Sequence, residues 1–192
     1  MAAVPADTVG LVLAAGAGSR FGMPKSLVRS SDGTPWIGLA CRALADGGCA
    51  DVVVVLGAMA ESAIHLVPSG NGIVVAREWS YGQSASLRAG LEACVPSDAE
   101  AVVVTLVDLP ALSSDAVRSV MVDADAASLK RATYDGRPGH PVLIGRDHWA
   151  PLMMALAGDI GARTYLSAHS AEPVDCTDFG GGHDVDEPEG AA

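Results

Sequence analysis

Short apolar runs alternate with helical spacings along the first part of this chain. Val9–Ala14, Val52–Leu56, Gly72–Ala76 and Ala101–Val107 are runs of apolar, mostly aliphatic residues, the pattern of strands buried on both faces of a sheet. Between them, a helical pattern from Trp36 to Leu44 stops at Asp46-Gly47-Gly48. A second, Ser84 to Cys94, sets Leu87 and Leu91 four apart and ends before Pro96. Strands alternating with helices imply right-handed crossovers and an α/β fold, with a mostly parallel central sheet and helices on both faces. In such sheets ligands bind outside the carboxyl ends of the strands, so the loops after Ala14, Ala76 and Val107 should share one rim.

The second half is less regular. Ser113–Val122 reads as a helix capped by Ser113 or Ser114. Ser128–Thr133 and Pro141–Ile144 read as strands around the turn-rich YDGRPGH, and two further helical segments are split by Gly158-Asp159-Ile160-Gly161. No internal repeat or long linker divides the sequence, so residues 1–192 read as one domain with a flexible acidic tail from about residue 188.

Charge and cysteine content narrow the function classes. The net charge is −11, and it is uneven: residues 1–95 carry 6 Lys+Arg against 7 Asp+Glu, residues 96–192 carry 6 against 16. This balance argues against nucleic acid or an anionic membrane as partner. A phosphate-bearing ligand would need local cations or a metal. The apolar runs fall far short of the roughly 20 residues of a membrane span. Nothing basic precedes the first run and Asp7 abuts it, which argues against a secretory signal and predicts a cytoplasmic protein. Cys41, Cys49, Cys94 and Cys176 lack metal or redox spacing and read as reduced structural thiols.

The candidate chemistry begins in GAGSRFGMPKS, Gly16 to Ser26. It is not GxGxxG, because Ser19, Arg20 and Phe21 separate Gly18 from Gly22. It is not a P-loop, because Met23 and Pro24 separate Gly22 from Lys25. Small residues Ala15, Gly16, Ala17 and Gly18 still let the backbone turn N–H groups toward an anion, with Arg20 and Lys25 as cations. A plain strand-to-helix turn is the alternative. A dinucleotide fold would also place an acid about 20 residues on, where this chain has only the helical Trp36–Arg42 stretch.

Asp108 closes the most apolar strand at the ligand rim and suits Mg²⁺, although Asp-x-Pro also forms turns. Asp184 and Asp186 are a second carboxylate source, or merely a solvated tail. His140, between Gly139 and Pro141, is either an acceptor contact or a structural loop residue. The Gly158–Arg163 stretch is either a helix break capped by Asp159 or an anion clamp through Arg163. No Ser-His-Asp or Cys-His signature stands out.

Taken together, LAAGAGSRFGMPKSL, WSYGQSASLRAGL, VDLP, GRPGHPVLIGR, LAGDIGAR and DVDEP resemble the motifs of the MobA-like nucleotidyltransferases, in that family's order and over essentially the whole chain. The resemblance implies the Rossmann-like nucleotide-diphospho-sugar transferase fold. It implies Ala15, Gly16, Gly18, Ser19 and Arg20 on the triphosphate, Lys25 on the α-phosphate, and Gly82, Gln83, Ser84 and Ser86 along base and ribose. Asp108 and Asp186 would hold Mg²⁺, and Arg137, His140 and Arg163 would face the acceptor. Ala14-Ala15-Gly16, where the guanylyltransferase branch has LAGG, favours CTP over GTP and the molybdenum cofactor cytidylyltransferase branch. Val107 and Leu109 flank Asp108 where that branch often has Cys or Gly before the aspartate and Gln after it.

The implied reaction is Mg-dependent transfer of CMP from CTP to the phosphate of molybdopterin with release of pyrophosphate, with a molybdoenzyme as a possible client. The alternatives are a nucleotidyltransferase for another phosphorylated acceptor (sugar, polyol or phospholactate), a non-catalytic nucleotide-binding chaperone of a molybdoenzyme, and an oxidoreductase using NAD(P).

Overall fold

The structure, a computed structural model, describes residues 7–185. Its first half is built as the apolar runs predict: β1 (Thr8–Ala14), α1 (Trp36–Gly47), β2 (Asp51–Leu56), a short α2 (Ala60–Ala63), β3 (Gly72–Val75), α3 (Gln83–Cys94) and β4 (Ala101–Leu106). The second half adds α4 (Ser114–Met121), β5 (Leu129–Tyr134), β6 (Arg137–Gly145), α5 (Trp149–Ala155), α6 (Arg163–Ala168) and β7 (Glu172–Asp175). The strands form one sheet in the order β3-β2-β1-β4-β6-β5-β7. All run parallel except β6, which is antiparallel to β4 and β5.

The single reversal has a local cause. Asp135 and Gly136 both adopt positive φ, 50° and 73°, the two-residue turn that joins antiparallel strands. The hairpin is therefore tighter than expected from YDGRPGH, and β6 starts at Arg137 rather than Pro141. The sequence pattern also omitted β7. This four-residue edge strand contains Pro173, has only Val174 half-buried, and is ordered by parallel pairing to β5.

β1 lies in the interior of the sheet, between β2 and β4, with every residue buried. Val12 and Ala14 face a core closed by Ile37, Ala40, Cys41 and Leu44 of α1 and by Val117 and Val120 of α4. Leu11 and Leu13 face the opposite core, closed by Leu87 and Leu91 of α3, Trp149 and Leu152 of α5 and Leu166 of α6. The helical spacing of these residues is what gives each helix one apolar stripe to bury. Among the described residues no helix is long and apolar enough to cross a membrane.

Two outcomes test this packing. Leu91 is fully buried, so Leu91→Ala should lower the unfolding free energy by about 2–5 kcal/mol in a urea titration. All four cysteines are free and buried, and burial pushes the Cys41 and Cys49 thiols up to about 12 and that of Cys94 to about 11. Their thiolates are therefore scarce at pH 8, and Ellman's reagent should leave the native protein unmodified while titrating all four thiols in guanidinium.

Candidate active site

β1 and β4 are hydrogen-bonded neighbours in register, with Leu13 opposite Leu106. Their carboxyl ends therefore stop at one level, and the two following loops open on the same side. The next strand after β1 in the chain lies to one side of it and β4 to the other, so the gap above them is the point where the order reverses. A cleft of about 750 Å³ lies there, within the size range of small-molecule sites.

The loop after β1 wraps one side. Gly18 has φ of +61°, and a Cβ there would meet the Met23 carbonyl oxygen at 1.9 Å, so only glycine closes the turn. Gly22 N donates back to Gly18 O at 2.8 Å. Among the described residues, the amides of Gly16, Ala17 and Ser19 donate to no protein acceptor, and all three residues line the cleft. Phe21 plugs the loop into the core edge-on against Trp36, with ring centroids 5.8 Å apart. Pro24 is extended and starts the short 3-10 turn Lys25–Leu27, and Lys25 Nζ lies 5.8 Å from the centre of the Phe21 ring.

Lys25 crosses to the other loop. Its Nζ donates to Asp108 Oδ2 at 2.9 Å, with both side chains more than four-fifths buried. The second oxygen, Asp108 Oδ1, is buried without a hydrogen-bond partner. A desolvated carboxylate oxygen left open costs free energy unless a ligand takes it. A hard oxygen donor on a residue that lines the cleft fits Mg²⁺ or a similar divalent ion. Val185 N donates to Asp108 O at 3.0 Å, which ties residues 180–185 beside the loop and brings Asp184 into the cleft lining. Asp186, implied as the second metal ligand, and the acidic tail from about residue 188 lie outside the described residues. Among the described residues no group of three His, Cys, Asp or Glu could hold a metal together.

The far wall is stapled from two segments. Gly82 has φ of +106°, and a Cβ there would sit 2.8 Å from the Gly158 carbonyl oxygen. This close approach lets Gln83 N donate to Asp159 Oδ1 at 2.9 Å and Ser84 N to Gly158 O at 3.3 Å. Asp159 does not cap the helix that follows it, since Ala162 precedes α6 without a side-chain cap bond; it instead accepts from the start of α3.

Ala15, Gly16, Gly18, Ser19, Arg20, Lys25, Gly82, Gln83, Ser86, Asp108 and Arg163 thus line one cleft. Ser84 and Arg137 do not. Ser84 is buried and its hydroxyl donates to Ala157 O at 3.0 Å, so it serves the staple. Arg137 is exposed beside the hairpin turn, at the opposite end of β6 from Gly145, because the tight turn starts the strand early. His140 lines a smaller adjoining cavity with Gln83 and Arg163. Burial lowers its pKa, partly opposed by its contact with the Val104 carbonyl and by Asp108 and Asp184, so the ring is neutral at pH 7.

Three lining residues had not been singled out as binding candidates. Tyr81 is 72% exposed on the cleft, and its aromatic character within WSYG was the available signal. Trp79 lies beside it. Arg131, in β5, was hidden inside a segment read only as a strand.

The family model described as "MobA-like NTP transferase domain" matches residues 10–174. The chain is 33% identical over 189 residues to the nicotine blue oxidoreductase of Paenarthrobacter nicotinovorans, an alignment covering 92% of this chain and 91% of that protein. Among solved structures, the Mycobacterium sp. strain JC1 homologue of M. tuberculosis Rv0371c superposes with a TM-score of 0.76 at 27% identity, over 90% of this chain and 87% of that one. The inositol-1-phosphate CTP transferase of T. maritima shares the fold, with a TM-score of 0.70 at 16% identity over 97% and 92% of the two chains.

The staple yields a prediction. Gly82→Ala should destabilise the protein by about 1–3 kcal/mol, since it combines an unfavourable φ with a backbone collision. A thermal melt equal to that of the wild type would contradict the assigned close approach.

Proposed function

Because the chain belongs to the MobA-like NTP transferase family, we propose that it is a Mg-dependent nucleotidyltransferase that moves CMP from CTP onto the phosphate of molybdopterin, releasing pyrophosphate. The observation that carries this reading is the cross-loop pair of Lys25 and Asp108, with an unpartnered carboxylate oxygen at the cleft. Family members bind nucleoside triphosphates and phosphorylated acceptors, and the T. maritima neighbour is by its name a CTP transferase. The preference for CTP also draws on Ala14-Ala15-Gly16, and that for molybdopterin on the motif resemblance. The rival acceptors are a sugar, polyol or phospholactate phosphate, and the chaperone alternative predicts CTP binding without turnover.

In this reading the open amides of Gly16, Ala17 and Ser19, with Arg20, hold the triphosphate, and Tyr81 offers a flat face for the base. Lys25, fixed by Asp108 and Phe21, meets the α-phosphate and stabilises charge as it builds there. Asp108, through Oδ1, would hold the metal, with Asp184 and Asp186 as further carboxylates. When bound, Mg²⁺ offsets the triphosphate charge and favours departure of pyrophosphate. The acceptor phosphomonoester, with a second pKa near about 6, is dianionic at pH 7 and needs no protein base. One of its oxygens bonds to the α-phosphorus as the bond to the pyrophosphate oxygen breaks. The work of the protein is alignment of two mutually repelling anions.

Lys25→Ala and Asp108→Ala should each lower kcat by at least about two to three orders of magnitude while far-UV circular dichroism stays native. The assay is pyrophosphate release from each ribonucleoside triphosphate, with and without molybdenum cofactor. Full release by either variant would remove the assigned roles.

A second reading has one observation in its favour, the 33% identity to a protein named as an oxidoreductase. In that reading the cleft takes NAD(P) and an oxidised acceptor. The helix α1 occupies the stretch where a ribose-binding acid would stand, which weighs against a dinucleotide. Stabilisation by NAD(P)H but not by CTP with Mg²⁺ would favour this reading over transfer.

A further inference from the structure

Next to the cleft, a cavity of about 70 Å³ lies between β5, β6 and the start of α6. It has room for a group of a few heavy atoms. Its walls are largely apolar, with Leu87, Val104 and Leu166 among them, and Arg163 lines both this cavity and the cleft. Arg131 also faces it, from the middle of β5. That strand pairs with β6 on one side and β7 on the other, so the arginine is held on a rigid element.

The two arginines line one cavity without a counter-ion among the described residues. Arg131 Nε donates to Gly139 O at 3.2 Å, and among the described residues its Nη groups donate to no protein acceptor. Neither Arg131 nor Arg163 forms an ion pair with a described carboxylate. Burial lowers the Arg131 pKa, and the positive charge of Arg163 lowers it further. Two guanidinium groups lining one small cavity disfavour each other, and an oxyanion between them would offset both the repulsion and the lost hydration. The neutral ring of His140 adds no third charge.

We infer that Arg131 and Arg163 form a two-guanidinium clamp for an oxyanion at the passage between cavity and cleft, and that in the transferase it takes the phosphate of the acceptor. Only the identity of that group rests on the proposed function; anion binding by the pair does not. Arg163 at the passage sets the phosphate toward the triphosphate loop, and Arg131 fixes its position from behind.

The test is a titration of the full chain with inorganic phosphate, without nucleotide, followed through the arginine Nε–Hε resonances. Those of Arg131 and Arg163 should move together with one Kd, while Arg20 reports separately on the triphosphate loop. Arg131→Gln should raise the Kd seen at Arg163 roughly tenfold, as expected for loss of a charged hydrogen-bond donor, with Arg131→Lys intermediate. If the glutamine variant is misfolded by circular dichroism, the lysine variant and the wild-type titration decide. Phosphate shifting only Arg20, shifting nothing, or leaving the Arg163 Kd unchanged in a folded Arg131 variant would overturn the clamp. In turnover, Arg131→Gln should raise the acceptor KM roughly tenfold with little change in kcat. Absence of all turnover would refute the transferase reading and leave the phosphate titration to judge the clamp.

Discussion

The contact between Lys25 and Asp108 is the constraint on which the site depends. It joins two loops 83 residues apart, and it exists because β1 and β4 pair in parallel with their carboxyl ends level. A two-residue slip between those strands would preserve every buried face and still separate the two side chains by several ångströms. The aliphatic side chains that make β1 and β4 bury on both faces therefore also align the chemistry. One Asp108 oxygen is spent on the lysine and the other stays open, so a single carboxylate orients the cation and offers a hard ligand.

The charge distribution follows the same logic. An acidic chain can bind a polyanion only where its few cations converge, and Arg20, Lys25 and Arg163 line one cleft. The carboxylates of the second half are not spread passively around it. Asp159 tethers Gln83, Asp108 holds Lys25, and the Val185 amide anchors the C-terminal segment next to Asp108. Pairing the two desolvated charges of Lys25 and Asp108 limits the penalty each would carry alone.

How much of this was legible in the sequence depended on whether a residue acts through its own local pattern. The apolar runs and the Leu87/Leu91 spacing located β1, β2, β4 and α3, because burial on both faces of a parallel sheet leaves little else that pattern can mean; the Gly72–Ala76 run also gave a strand, but β3 is a mostly exposed edge strand held by pairing to β2. The loop from Ala15 to Lys25 was legible for the same local reason. Ser84 was misplaced because a serine before a helix can face a ligand or, as here, a carbonyl from the segment following α5, and only tertiary packing decides. Arg137 lies outside the cleft lining because Asp135-Gly136 forms the whole turn and leaves the arginine exposed at the tip of the β5–β6 hairpin. Arg131 was invisible because its partner, Arg163, comes from α6, 32 positions later, and no local spacing links a β5 residue to it. Edge strand β7 likewise exists only through its pairing with β5.

The proposed transfer breaks the bond between the α- and β-phosphates of a nucleoside triphosphate and joins the α-phosphorus to an acceptor phosphate. It is tested most directly by following radiolabel from CTP labelled at either its α- or its γ-phosphate, with Mg²⁺ and molybdenum cofactor present. Transfer predicts the α-label in the acceptor product and the γ-label in pyrophosphate. Both labels remaining in CTP, while NADPH is oxidised by the same preparation in the presence of an electron acceptor, would contradict it.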